Sequence, residues 1–356
     1  MASASVCEAG PDIRTPLADA RTGTVLDGRY RLEELVGEGG MGRVYRACDE
    51  VLERTVAVKI FPSAAVDDAD RGRRAAEARL LAALSHPSLV TLYDAQASRD
   101  GTGYLVMEYV GGGALSDRIQ RGPLTTRLVS EIAADMGEAL HAVHSAGAVH
   151  RDVKPSNVLL HPAETGAAGR GRRMRATLAD FGIAYLADGA RVTTPGMAVG
   201  TAAYFSPEQA RGMDPSPSCD VYALGLVLIE ALTGRRAFPQ TTPIEAVVAR
   251  LHSAPEVPTA FGEAWTTLLT DMTAPDPADR PSAQQVADRA RLLAQAPSEP
   301  SPASAEGAAN RVYREPSPAA PIAPSAPTTR VRSRRRPTLA QLVVQGVGAA
   351  VLGLSR

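Results

Sequence analysis

The chain has 356 residues, enough for one large or two ordinary domains with tails, and its 44% hydrophobic content can fill a complete core. A net charge of −1 gives no global case for a nucleic-acid partner, and 4% aromatic residues are too few for a single-strand stacking platform. Cys7, Cys48 and Cys219 show no Cys-x-x-Cys spacing. Neither a zinc site nor a disulfide frame is implied, and a reduced cytosolic setting fits.

Residues 1–27 are rich in Ala, Ser, Thr and Gly and read as a flexible leader. They carry Arg14 and Arg21 and lack the apolar core of a signal peptide. Strand signals begin at Tyr30 and run through Val36. Gly37-Glu38-Gly39-Gly40-Met41-Gly42 follows, and Arg43-Val44-Tyr45 opens a returning strand. Glycines let a backbone approach phosphates closely. A Walker loop is excluded because Arg43-Val44, and not Lys-Ser/Thr, follows the last glycine. A dinucleotide fingerprint is excluded because the chain continues as strand instead of helix.

Thr55–Phe61 is the next strand by its β-branched residues, with Lys59 interrupting an apolar run. The spacing predicts a helix over about Asp70–Leu84, with Glu77 beside an apolar stripe that includes Leu80, Leu81 and Leu84. Leu89–Asp94 and Gly103–Val110 read as a strand pair, and Gly111-Gly112-Gly113 as a hinge. Helices are expected over Leu115–Arg121 and Thr126–Ala146.

The polar stretch His150-Arg151-Asp152-Val153-Lys154-Pro155-Ser156-Asn157 lies between that helix and a short strand-like run, a setting typical of reactive loops. Asp152 can accept a hydroxyl proton, Lys154 can neutralise phosphate, and Asn157 offers an oxygen to a hard cation such as Mg2+. Ala179-Asp180-Phe181-Gly182 supplies a second oxygen ligand on a glycine turn.

Residues 183–205 read as a loop containing Thr193, Thr194 and Thr201, closed by Ser206-Pro207-Glu208. Asp220–Leu232 is a long apolar helix, and helices near Ile244–His252, Phe261–Met272 and Ser282–Ala296 follow. Residues 297–329 are Pro/Ala/Ser-rich and read as a disordered linker. Residues 330–337 are basic, and 338–356 form a short apolar tail. Leu339–Leu354 would span roughly 24 Å as helix, short of a bilayer core of about 30 Å. The preceding arginines suit the cytoplasmic side of an anchor, so a membrane-associated tail and a docking helix both stay open.

Taken in order, the glycine loop, Lys59, the Asp152 loop and Asp180-Phe181-Gly182 form the signature set of protein kinases. The run from about Tyr30 to Leu292 resembles the bacterial branch of eukaryotic-type serine/threonine protein kinases, and most closely the kinase halves of membrane-anchored regulators. The resemblance implies an α+β, bilobal protein kinase fold over residues 28–296. A small strand-rich N-lobe with one major helix would cover about 28–110, and a larger helical C-lobe about 114–296.

It implies ATP and Mg2+ (or Mn2+) as cofactors. The nucleotide would be covered by Val36, Gly37, Glu38, Gly39, Gly40, Met41, Gly42 and Arg43. Val44, Ala57 and Leu159 would sandwich the adenine, with Met107 as gatekeeper and Glu108 and Val110 as hinge groups. Lys59 would grip phosphates and pair with Glu77. Asp152 would be the base, Lys154 the γ-phosphate contact, and Asn157 and Asp180 the metal ligands. Asp220 would brace the catalytic loop, Glu208 would pair with Arg280, and Thr201 would contact Asp152 and Lys154.

Protein Ser/Thr hydroxyls are the implied acceptors. Thr193 and Thr194 are the candidate autophosphorylation sites, and a homodimer for that step stays open. Two departures stand out: Ser206 where Ala is commoner, and an Arg-rich insertion over 161–175, read as surface. A scaffold without transfer is the competing reading, disfavoured because Lys59, Asp152 and Asp180 are all present. A small-molecule phosphotransferase is the other, disfavoured by the segment from Gly200 to Glu208.

Overall fold

The computed structural model describes residues 21–39, 42–61, 84–97, 103–162, 174–180, 201–239 and 242–295. A six-stranded antiparallel sheet comes first, in the order β1-β2-β3-β4-β6-β5. Its strands are β1 (Val25–Leu26), β2 (Tyr30–Gly39), β3 (Gly42–Asp49), β4 (Arg54–Ile60), β5 (Leu92–Ala97) and β6 (Gly103–Glu108). The two-residue period of a strand decides what reaches the cleft. Val56, Val58 and Ile60 of β4 join Tyr45, Tyr104 and Val106 in the sheet's core. Ala57 and Lys59 alternate to the other face, which the cleft uses.

The rest is helical: α1 (Leu115–Ile119), α2 (Thr126–Ser145), α3 (Pro207–Ala210), α4 (Pro217–Thr233), α5 (Pro243–His252), α6 (Glu263–Met272) and α7 (Ala283–Gln295). Between α2 and α3 lies the hairpin of β7 (Val158–Leu160) and β8 (Ala176–Leu178), paired Val158↔Leu178. Helix α4 is apolar on all sides and almost wholly buried, so it is a core element and not an amphipathic surface helix. Ser216 caps its start, and Gly234 at φ +70 ends it in a left-handed turn. Gly137 lets α2 and α7 touch, since a Cβ there would lie 2.7 Å from Ala287 N.

One expectation needs correction. The strand expected over Leu89–Asp94 lies at Leu92–Ala97. Ser88 and Val90 instead bond Leu178 of β8, and Leu89 packs into the helical core, because the apolar side chains of this run serve both lobes. Cys219 is free and buried. The helix expected over 70–84, the Arg-rich insertion, the tail, and the residues Gly40, Met41, Glu77, Thr193 and Thr194 lie outside the described residues, apart from the edges of the first two.

Candidate active site

Helix α2 ends at a turn through Gly147, φ +77, and the chain enters the polar loop. Asp220, in the first turn of α4, holds that loop from behind. Its carboxylate accepts the N–H of His150 at 2.8 Å and of Arg151 at 2.8 Å, and lies 2.8 Å from His144 Nε2. Arg151 is thereby kept at φ +68, a conformation that costs a non-glycine residue about 1–3 kcal/mol. The His150 ring is fixed by its neighbours. Nδ1 accepts from the N–H of Asp152 at 3.3 Å, so the proton sits on Nε2, which donates to Ala179 O at 3.1 Å. One imidazole thus ties the Asp152 loop to the residue before Asp180.

Asp152 is buried. Its Oδ2 accepts from Lys154 Nζ at 2.8 Å and Asn157 Nδ2 at 3.0 Å. Its Oδ1 is buried and has no hydrogen-bond partner among the described residues. Leaving such an atom unmet costs about 1–3 kcal/mol, which an incoming hydroxyl would recover. Opposite, Lys59 on β4 is buried and lies 2.8 Å from Asp180 Oδ1. A buried ammonium requires such a partner. Asp180 itself sits at φ +57.

The donor set fits a hard divalent cation. Asn157 gives Nδ2 hydrogens to Asp152 O and Oδ2, which leaves its Oδ1 for the cleft that it lines with Asp180. Two oxygen ligands are few, and among the described residues no cluster of three His, Cys, Asp or Glu could hold a metal alone. That is the pattern for Mg2+, which takes one or two protein oxygens and completes its shell with water and phosphate.

Lys59, Lys154, Asn157 and Asp180 border a cleft of about 1140 Å³, to which Asp152 is tied through Lys154 and Asn157. At one end Val44, Ala57, Met107, Val110 and Leu159 form an apolar slot. Glu108 gives its N–H to Thr91 O, whereas the N–H of Val110 meets no acceptor among the described residues. Val36, Gly37, Glu38, Gly39 and Gly42 line the roof. Gly42 is obligatory there: φ is +125, and a Cβ would lie 2.2 Å from Ile60 O. Arg43 does not line the cleft. It pairs with Glu38 at 2.9 Å across the β2–β3 hairpin. Gly112 brings the hinge against β7, with Leu160 O 2.0 Å from where a Cβ would stand.

The far end of the cleft holds residues that the sequence did not single out: Asp117, Tyr204, Glu230, Arg235 and Arg236. No motif marks them, because they come from separate elements. Tyr204 donates to Glu230 at 2.6 Å, and burial pushes the Glu230 carboxyl up. Behind this wall Arg280 grips Glu208 through two bonds of 2.6 and 2.9 Å. Burial is the largest influence on the Glu208 carboxyl and would raise it, but the Arg280 bonds, a backbone N–H, the Cys219 thiol and the Arg280 charge together outweigh it, and the net shift is downward.

The protein kinase domain model matches residues 30–290. The serine/threonine-protein kinase PknA of Mycobacterium tuberculosis is 42% identical over 66% of this chain and 54% of its own length. The kinase pkn3 of Myxococcus xanthus is 33% identical over 77% of this chain and 51% of its own. PknB of M. tuberculosis is 40% identical over 67% of this chain and 38% of its own. The chain therefore spans about half, or less, of the length of these curated relatives. Among solved structures, the M. tuberculosis PknI kinase domain (C20A mutant) aligns with a TM-score of 0.57 at 28% identity, covering 78% of this chain and 100% of that one. With the Asp152 loop, Lys59 and Asp180 gathered at one cleft, the chain belongs to the protein kinase domain family, in its bacterial eukaryotic-type serine/threonine branch.

Proposed function

We propose that the chain is an ATP-dependent serine/threonine protein kinase of bacterial signalling. The observation that carries this reading is the buried Asp152, held by Lys154 and Asn157 with one oxygen unmet, at a cleft whose other wall bears Lys59 and Asp180. Members of this family use ATP and a divalent metal. In the proposed assignment Asp152 accepts the proton of a Ser or Thr hydroxyl. The hydroxyl oxygen bonds to the γ-phosphorus as the bond to the β–γ bridging oxygen breaks, and ADP leaves. Lys154 offsets charge on the moving phosphoryl group, and Lys59 orients the α- and β-phosphates, positioning and charge neutralisation being most of what such transfer needs. Asn157 and Asp180 would hold Mg2+, which supplies further charge neutralisation when bound. Glu77 is the proposed partner of Lys59 once nucleotide draws Asp180 toward the metal.

Thr193 and Thr194 are the proposed autophosphorylation sites, with Arg151 as the cation for the new phosphate. Modification between two copies would call for a transient homodimer. In the proposed organisation the kinase domain covers 28–296, followed by the linker 297–329, the basic segment 330–337 and the tail 338–356.

Purified protein with γ-labelled ATP, Mg2+ and a generic substrate tests the reading. Transfer is expected from the native chain and at least about a hundredfold less from Asp152→Asn, since general-base assistance contributes that order. Peptide mapping is expected to find the label on Thr193 or Thr194. Equal labelling by both proteins would reject the assignment of Asp152. Among the described residues no helix is long and apolar enough to cross a membrane. The tail is nonetheless proposed as a membrane-associating segment, on the strength of Arg330, Arg332, Arg334, Arg335 and Arg336 before an apolar run. Cell fractionation should pellet the full chain and release a chain ending near Pro297; equal distribution of the two rules the tail out.

A further inference from the structure

The cleft continues beyond the phosphate-facing groups to the C-terminal end of α4, where Tyr204, Glu230 and the turn through Arg235 and Arg236 line it. With nucleotide at the glycine-rich end, this outer stretch is left for the protein acceptor. Most of its charge is already engaged. Glu230 accepts from Tyr204, and Arg236 lies close enough to act on both. Arg235 differs. Gly234 turns the chain at φ +70, and Thr233 Oγ1 accepts the Arg235 N–H at 3.1 Å while lying 3.0 Å from the Arg235 carbonyl oxygen. The backbone of Arg235 is pinned, its side chain is exposed, and no carboxylate pairs with it among the described residues. A guanidinium presented in this way is a carboxylate reader, because its planar fork can bind both oxygens at once.

We propose that Arg235 is a specificity-determining residue that selects protein acceptor segments carrying an Asp or Glu near the phosphorylated Ser or Thr. The proposal rests on the kinase reading above and adds the chemistry of the preferred substrate to it.

The test uses the full chain and peptides with one Ser or Thr acceptor in a neutral background, with a single Glu or Arg walked through the flanking positions. Transfer (kcat/KM) and binding, by anisotropy of labelled peptides, are measured separately. The native protein is expected to favour Glu over Arg about tenfold at one flanking position, as a charge-assisted pair would give. Arg235→Glu should reverse the preference at that position alone, and Arg235→Lys should keep its sign. Melting curves of both variants report folding. Transfer to the peptides with no position whose preference responds to Arg235 overturns the proposal and leaves the kinase reading standing. Charge-selective binding that follows Arg235, without transfer to any peptide, supports the reader and overturns the kinase reading. Neither binding preference nor transfer overturns both.

Discussion

Asp220 touches no reacting group, yet three donors converge on its carboxylate: the N–H groups of His150 and Arg151, and the His144 ring. A carboxylate can accept from all of them, whereas an amide offers one oxygen and turns an NH2 toward whatever remains. Asp220→Asn should therefore leave at least one buried donor facing another donor, at a cost of about 1–3 kcal/mol. The loss should fall on the loop, because Arg151 keeps its positive φ only while Asp220 holds it. A lower melting temperature together with reduced kcat, at little change in the KM for ATP, is expected from calorimetry and steady-state kinetics. A variant that melts and turns over like the native protein would show that the brace is dispensable. The residues of this loop were readable from the sequence because eight consecutive positions carry them. The tautomer of His150 and the unmet oxygen of Asp152 were not, since both depend on partners brought in by folding.

Among the elements, the β2–β3 hairpin shows how glycines at similar spacing have different work. Gly39 would meet nothing within 4 Å of an added Cβ, whereas Gly42 combines φ +125 with a backbone oxygen at 2.2 Å. Gly42→Ala should strain the hairpin or drive β3 from β4, lowering the melting temperature and weakening nucleotide binding. Gly39→Ala should leave the melting temperature nearly unchanged. Thermal unfolding and nucleotide titration of the two variants check this, and equal destabilisation would refute the distinction. Periodicity located most strands and helices, because each presents one apolar face or is apolar throughout. It misplaced β5 because Leu89 serves the helical core whereas Leu92 packs against the separate cluster of Ala57, Val90, Leu105 and Met107, two burials that no single strand pattern separates.

For the molecule as a whole, the cleft is built from both lobes. β2, β3, β4 and β6 supply the roof and back of the slot, while Leu159, Asn157 and Lys154 supply its floor. Nucleotide should therefore couple the lobes and stabilise the native state by mass action. At a concentration of 100 times Kd the gain is about 2.7 kcal/mol. For a domain of this size each kcal/mol raises the melting temperature by roughly 2–4 °C, so a rise of about 5–10 °C is expected with Mg2+ and a non-hydrolysable ATP analogue. The variants should divide by what each residue faces. Asp152→Asn should keep nearly the whole shift, since Asp152 is turned to Lys154 and Asn157 and does not line the slot. Lys59→Met should lose most of it, because the methionine offers no cation to the phosphates and leaves Asp180 without the ammonium at 2.8 Å. Differential scanning fluorimetry with and without the analogue decides the matter. A full shift in Lys59→Met, or its loss in Asp152→Asn, would mean that the two lysine- and aspartate-bearing walls had been assigned to the wrong substrates.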